Sequence, residues 1–94
     1  MEYYIYILAS EDNKKIYTGI TRDLVRRTYE HKSKFMNGYA EYYDIKKLVY
    51  YETTTDVISA IEREKQIKKY RRQKKNSLIN KFNPNWEDLF NKII

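Results

Sequence analysis

The chain has 94 residues with no cysteine and one histidine, and its 19 lysines and arginines against 13 acids leave a net charge of +6. That length suits a single small domain around one core; the missing thiols exclude disulfides and thiolate zinc sites, and one histidine excludes a histidine-rich metal centre. Any bound metal must be held by oxygen, and a polyanion is the first partner that the charge suggests.

In chain order, Tyr3-Tyr4-Ile5-Tyr6-Ile7-Leu8 is aromatic and β-branched without a polar helical face, which predicts a first strand. Ser10-Glu11-Asp12-Asn13-Lys14-Lys15 forms a polar turn cluster, and Ile16-Tyr17-Thr18-Gly19-Ile20 resumes as a second strand, so an antiparallel hairpin is expected. Alternation puts Tyr4, Tyr6 and Leu8 on one face and groups Tyr17 with Gly19. Whether Tyr6 and Tyr17 share that face depends on the loop register, which the spacing leaves open.

Thr21 or Asp23 can cap a helix reaching to about Phe35, with Leu24, Val25, Thr28, Tyr29, Phe35 and Met36 as its apolar stripe. Arg27 and His31 lie one turn apart on the border of that stripe, able to lean into a cleft. Asn37-Gly38 is expected to break the helix. Lys47 to Glu52 reads as a third strand, and Thr53-Thr54-Thr55-Asp56 as a helix start with an acid in the first turn. The helix that follows carries Val57, Ala60, Ile61 and Ile67 on one side. Glu64 falls among them, whereas Glu62 points away. An inward carboxylate in a small domain is costly unless a cation meets it.

Between Lys65 and Lys81 there are eight basic residues and no acid. Lys68, Lys69, Arg71, Arg72, Lys74 and Lys75 are the candidates for nucleic-acid contact, against the simpler reading of a solvated basic face. Leu78, Ile79 and Phe82 extend this stretch into a further helix, which Asn83-Pro84-Asn85 ends because the residue before proline avoids helical geometry. Trp86 to Phe90 is expected as a short closing helix. The fold class is thus α+β, a small three-stranded antiparallel sheet flanked by helices, in one domain over 1–94. No apolar run approaches the ~20 residues that span a bilayer, and the N-terminus lacks the pattern of a secretory signal, so a soluble, cytoplasmic protein without a membrane partner is expected.

Tyr4-Ile5-Tyr6, Tyr17-Thr18-Gly19, Arg27, His31 and Glu64, in this order, resemble the motifs of a GIY-YIG nuclease domain, and in particular the small, single-domain bacterial members. Tyrosine stands where the family often has its first glycine. Asn83 is similar to the family's final asparagine, with Asn76 and Asn80 competing on spacing. Taken singly, each of these residues is more often structural; the ordered set carries the reading.

The resemblance implies a divalent-metal-dependent endonuclease acting on DNA, with one Mg²⁺ or Mn²⁺ held by Glu64, in DNA repair or processing. Arg27 would neutralise the scissile phosphate through its forked donors, and His31 would position a group or carry a proton. Tyr6 or Tyr17 would act on the attacking water, Gly19 would shape the site, and Asn83 would support it. The chain shows no added recognition domain, so cutting should be structure-directed or weakly specific, or rely on a protein partner or a homodimer. The alternatives are a non-catalytic nucleic-acid-binding module on the same scaffold, and a protein-interaction domain whose basic stretch meets an acidic surface.

Overall fold

A computed structural model describes residues 1–33 and 38–94. Three antiparallel strands, β1 (Tyr3–Ala9), β2 (Ile16–Thr21) and β3 (Lys47–Thr54), lie in the order β2-β1-β3, so the first strand is the central one. The helices are α1 (Leu24–Lys32), α2 (Tyr39–Tyr42), α3 (Val57–Lys69), α4 (Arg72–Phe82) and α5 (Phe90–Ile93). The expected fold class is what the chain adopts.

The β1–β2 turn is tied at several points. Ser10 N–H donates to Lys15 O at 2.9 Å, Ser10 Oγ donates to Asp12 Oδ1 at 2.7 Å and accepts from Lys15 N–H at 3.0 Å, and Asn13 takes a left-handed φ of 61°. Asparagine tolerates that conformation better than most residues. The turn sets the hairpin register: Tyr6 pairs with Gly19, Ile7 with Thr18 and Leu8 with Tyr17. Tyr6 and Tyr17 therefore share a face. Between β1 and β3 the register shifts after Ile7, which pairs with Tyr50 while Leu8 pairs with Leu48, leaving Val49 as the extra residue of a bulge.

Each face of the sheet has its own core. Tyr6, Leu8 and Leu48 pack with Leu24 of α1, Ala40 of α2, Ile45 and Leu89. Ile5, Ile7, Ala9, Val49 and Tyr50 pack on the other side with Ala60 and Ile67 of α3 and Ile79 of α4. Helices α1 and α3 begin at side-chain caps: Asp23 accepts from Arg26 N–H at 3.1 Å and Asp56 from Ser59 N–H at 2.8 Å.

Several expectations are corrected. The apolar stripe of α1 is narrower than drawn, because Leu24, Thr28 and His31 are buried whereas Val25 and Tyr29 are exposed. Phe35, Met36 and Asn37, assigned to the end of that helix, lie outside the described residues; α1 is helical as far as Lys32. On α3 only Ala60 and Ile67 are buried, and Val57 and Ile61 are exposed. Residues 86–89 are not helical. Trp86 has a φ of 51°, Leu89 N–H bonds to Leu48 O at 2.8 Å, and Asp88 Oδ1 accepts from Leu48 N–H at 3.2 Å, so the segment runs along the end of β3 before α5 starts.

Candidate active site

Tyr6 comes from the middle of the central strand, and its side chain is 1% exposed. The ring lies directly over Gly19 on β2: a Cβ at that position would stand 2.5 Å from both Cζ and Oη of Tyr6. Gly19 is thus a close-approach glycine, needed for the space it leaves. Tyr17 sits diagonally across, with its ring centroid 6.3 Å from that of Tyr6, and is half-buried.

His31 closes the group from above. Its Nε2 is 3.2 Å from Tyr6 Oη, with the direction of donation set by the imidazole tautomer, and its ring centroid is 5.4 Å from that of Tyr17. The wheel placed His31 on a border, but it is buried, because the sheet meets α1 along Leu24, Thr28 and His31. Burial, and then the nearby Arg27 guanidinium, hold its pKa below the usual 6.5, so the ring is neutral at pH 7.

Two opposite charges act on the Tyr6 phenol. Burial pushes its pKa well above the phenol range, and the adjacent Tyr17 phenol adds to this; Arg27 lowers it and Glu64 raises it. Arg27 belongs to α1 and Glu64 to α3. Burial outweighs the arginine, and the resting phenol is protonated.

Glu64 is 14% exposed at its side chain, and its Oε2 is 3.0 Å from Lys68 Nζ. Glu62 is exposed, as its position on the wheel predicts. Arg27 Nε is 3.6 Å from Glu30 Oε1, and Arg26 Nε meets Glu30 Oε2 at 3.3 Å. Glu30 was not singled out in the sequence, although its i,i+3 and i,i+4 spacing from the two arginines is the signal for such a pairing. An open groove continues from Arg27, with Arg22 and Arg26 on one wall and Val57 and Ile61 of α3 on the other.

The remaining candidates divide. Asn83 is buried, and its Nδ2 donates to Val49 O at 3.2 Å and Glu87 O at 2.8 Å while its Oδ1 accepts from Glu87 N–H at 3.1 Å. Its amide is taken up by backbone and not directed at a phosphate. Arg72 is likewise engaged, donating to Lys14 O at 2.8 Å, Asn13 O at 2.6 Å and Asn76 Oδ1 at 2.8 Å, so it braces the β1–β2 turn instead of offering a free guanidinium. Lys74 Nζ stands 4.1 Å over the Tyr70 ring, and Lys75 is half-buried. Lys69 and Arg71 are exposed.

Among the described residues no three His, Cys, Asp or Glu side chains gather as a metal cage. A lone, largely buried carboxylate fits a hard divalent ion that keeps most of its water shell, as Mg²⁺ does. The sequence pattern of the GIY-YIG catalytic domain matches residues 2–83. The chain belongs to the GIY-YIG family. A UPF0213 protein of Syntrophus aciditrophicus is 40% identical over 82 residues, 86% of this chain and 92% of that protein. One of Fusobacterium nucleatum is 35% identical over 81 residues, 86% of this chain and 80% of the relative. The solution NMR structure of a UPF0213 protein from Bacillus halodurans superposes with a TM-score of 0.60 at 30% identity, covering 94% of this chain and 93% of that one. GIY-YIG membership places the chain in a nuclease family. Among the described residues no helix is long and apolar enough to cross a membrane.

Proposed function

We propose that the chain is a divalent-metal-dependent endonuclease that hydrolyses phosphodiester bonds of DNA, with structure-directed or weak sequence preference, in repair or processing of DNA. The observation that supports it best is the cluster on β1 and β2: Tyr6 Oη lies 3.2 Å from a neutral histidine, its ring covers Gly19, and the half-buried Tyr17 ring stands 6.3 Å away.

Hydrolysis requires a positioned water, charge on the phosphate and a place for a proton. Arg27, 39% exposed at its side chain, reaches solvent and presents planar donors to a phosphate once Glu30 releases them. Tyr17 is the more accessible phenol and orients the water. Tyr6, sealed beneath it, links that surface to His31, whose neutral ring can accept a proton. Glu64 is the residue that would hold the divalent ion, which would supply Lewis-acid charge at the phosphate.

Replacing Glu64 by alanine should abolish nicking of single-stranded, duplex and branched DNA in Mg²⁺ or Mn²⁺. Its stability should change by only about 0.5 kcal/mol, the scale of an i,i+4 ion pair on a helix. A wild-type protein that nicks none of these DNAs in either ion rules the proposal out. The Glu64–Lys68 pair favours a second reading, a nucleic-acid-binding module in which that carboxylate serves only the helix; there Glu64→Ala would cost the helix its ion pair and leave DNA affinity unchanged.

A further inference from the structure

The largest uncovered aromatic surface in the described residues lies on and just after α2. Tyr39, Tyr42 and Tyr43 are 50%, 81% and 42% exposed. They are not scattered. Tyr43 stands at the centre, with ring centroids 4.8 Å from both Tyr39 and Tyr42, at interplanar angles of 55° and 75°. Lys15 Nζ lies 4.5 Å from the Tyr43 centroid. Neighbouring Asp44 is partly offset by Lys46, 3.5 Å away.

Three packed rings held open to solvent bury little apolar surface for this chain, so their stability value does not explain them. Their position is informative. Lys15 precedes Tyr17 by two residues, about 7 Å of extended backbone, so the cluster lies beyond the Tyr17 end of the cleft. The arginine-lined groove opens at the opposite end, beside Tyr3 and Thr21. A strand crossing the cleft from that groove would run out over Lys15 toward the tyrosines.

We propose that Tyr39, Tyr42 and Tyr43 form a stacking platform for unpaired bases of a DNA strand leaving the cleft at its Tyr17 end, and that the preferred substrate therefore carries a single-stranded segment. The inference rests on the nuclease reading for its cleft, and it names the substrate class that this reading leaves open. The occupant follows from charge and ring chemistry. Lys15 supplies a cation where a phosphate would lie, in a chain of net charge +6, and every base has a face that stacks on an aromatic ring. The bases of an intact duplex are already stacked and paired, and are not available to these rings.

The test measures binding in EDTA, so that cutting plays no part. Full-length wild type, Tyr42→Ala, Tyr42→Phe and the Tyr42→Ala/Tyr43→Ala double variant are titrated by fluorescence anisotropy against a single strand, a duplex bearing a single-stranded arm, and a blunt duplex. The double variant should lose about tenfold or more on the first two DNAs, the scale of one or two base–aromatic contacts, and less than twofold on the blunt duplex. Tyr42→Phe should bind as wild type, because a ring face and not a hydroxyl is needed. Tyr42 is largely free of the fold, so the single alanine variant should keep its circular dichroism spectrum and still show part of the selective loss.

Equal losses on all three DNAs, or none, overturn the proposal. So does sedimentation showing that wild type self-associates through this patch and that Tyr42→Ala is monomeric, since the rings would then belong to a second copy of the chain. Selective loss without nicking by wild type in Mg²⁺ or Mn²⁺ would keep the platform and remove the nuclease. Nicking of a single strand that is indifferent to the double variant would do the reverse.

Discussion

At Gly19 even a methyl group has no room, since it would stand 2.5 Å from the Tyr6 ring carbon and hydroxyl. Gly19→Ala must therefore push that ring out of place and away from His31. We expect a loss of about 1–3 kcal/mol in denaturant unfolding, the range for overpacked cores, together with loss of nicking. Tyr6→Phe should keep most of the stability and lose activity, which separates packing from chemistry. His31 makes a second prediction. Its native pKa lies below 6.5, so below that pH the unfolded chain takes up a proton that the native ring resists. Its contribution to stability is full above about pH 6.5 and is lost as pH falls through the lower native value. Urea midpoints measured between pH 7.5 and 5.5 should fall for wild type, and fall less steeply for His31→Gln.

Among the elements, the strands were the most legible, because Tyr3 to Leu8, Ile16 to Ile20 and Lys47 to Glu52 combine β-branched and aromatic residues with clear turn signals. The starts of α1 and α3 were legible for the same local reason: Asp23 caps as expected, and Asp56, expected as an acid inside the first turn, instead precedes Val57 as the cap. What failed was the choice of buried face. A wheel ranks residues by hydrophobicity, but α1 meets the sheet through Thr28 and His31 and leaves Tyr29 and Val25 outside, a tertiary preference that no local pattern carries. The segment 86–89 failed similarly, since Leu89 N–H bonds to Leu48 O, 41 residues earlier, in place of a helical partner. For the candidate site, the ordered motifs singled out Tyr6, Tyr17, Arg27 and Glu64 as candidates, whereas the engaged state of Arg72 and Asn83 depends on carbonyls distant in sequence. Asn83→Ala should be strongly destabilising, by about 2–3 kcal/mol, because it leaves buried backbone groups unpaired at the junction of α4 and β3. Thermal unfolding checks this, and a residual activity per folded molecule equal to wild type would fit a bracing role.

Across the whole molecule, the sheet separates two helix layers, and the proposed site takes its arginine from one and its carboxylate from the other. Binding of a polyanion along this seam should be strongly electrostatic. The logarithm of affinity for a single strand should fall linearly with the logarithm of salt concentration, by about 0.7 per phosphate neutralised. Removing Lys69 and Arg71, which are exposed, should reduce that slope more than removing Arg72, whose donors already hold the β1–β2 turn. A flat salt dependence would show that the basic stretch meets no phosphate.

The six residues Ser10 to Lys15 do more than join two strands. Successive positions on β2 point to opposite helix layers, so the parity of the loop length decides which layer receives the Tyr17 ring. Deleting one residue there would deliver Thr18 to the phenol's side and drive Tyr17 among the aliphatic chains of α3 and α4; deleting two would restore the parity and displace the pairing along the strand. Insertions and deletions in this hairpin are therefore filtered by chemistry as much as by folding, even though none of its loop residues touches the reacting atoms.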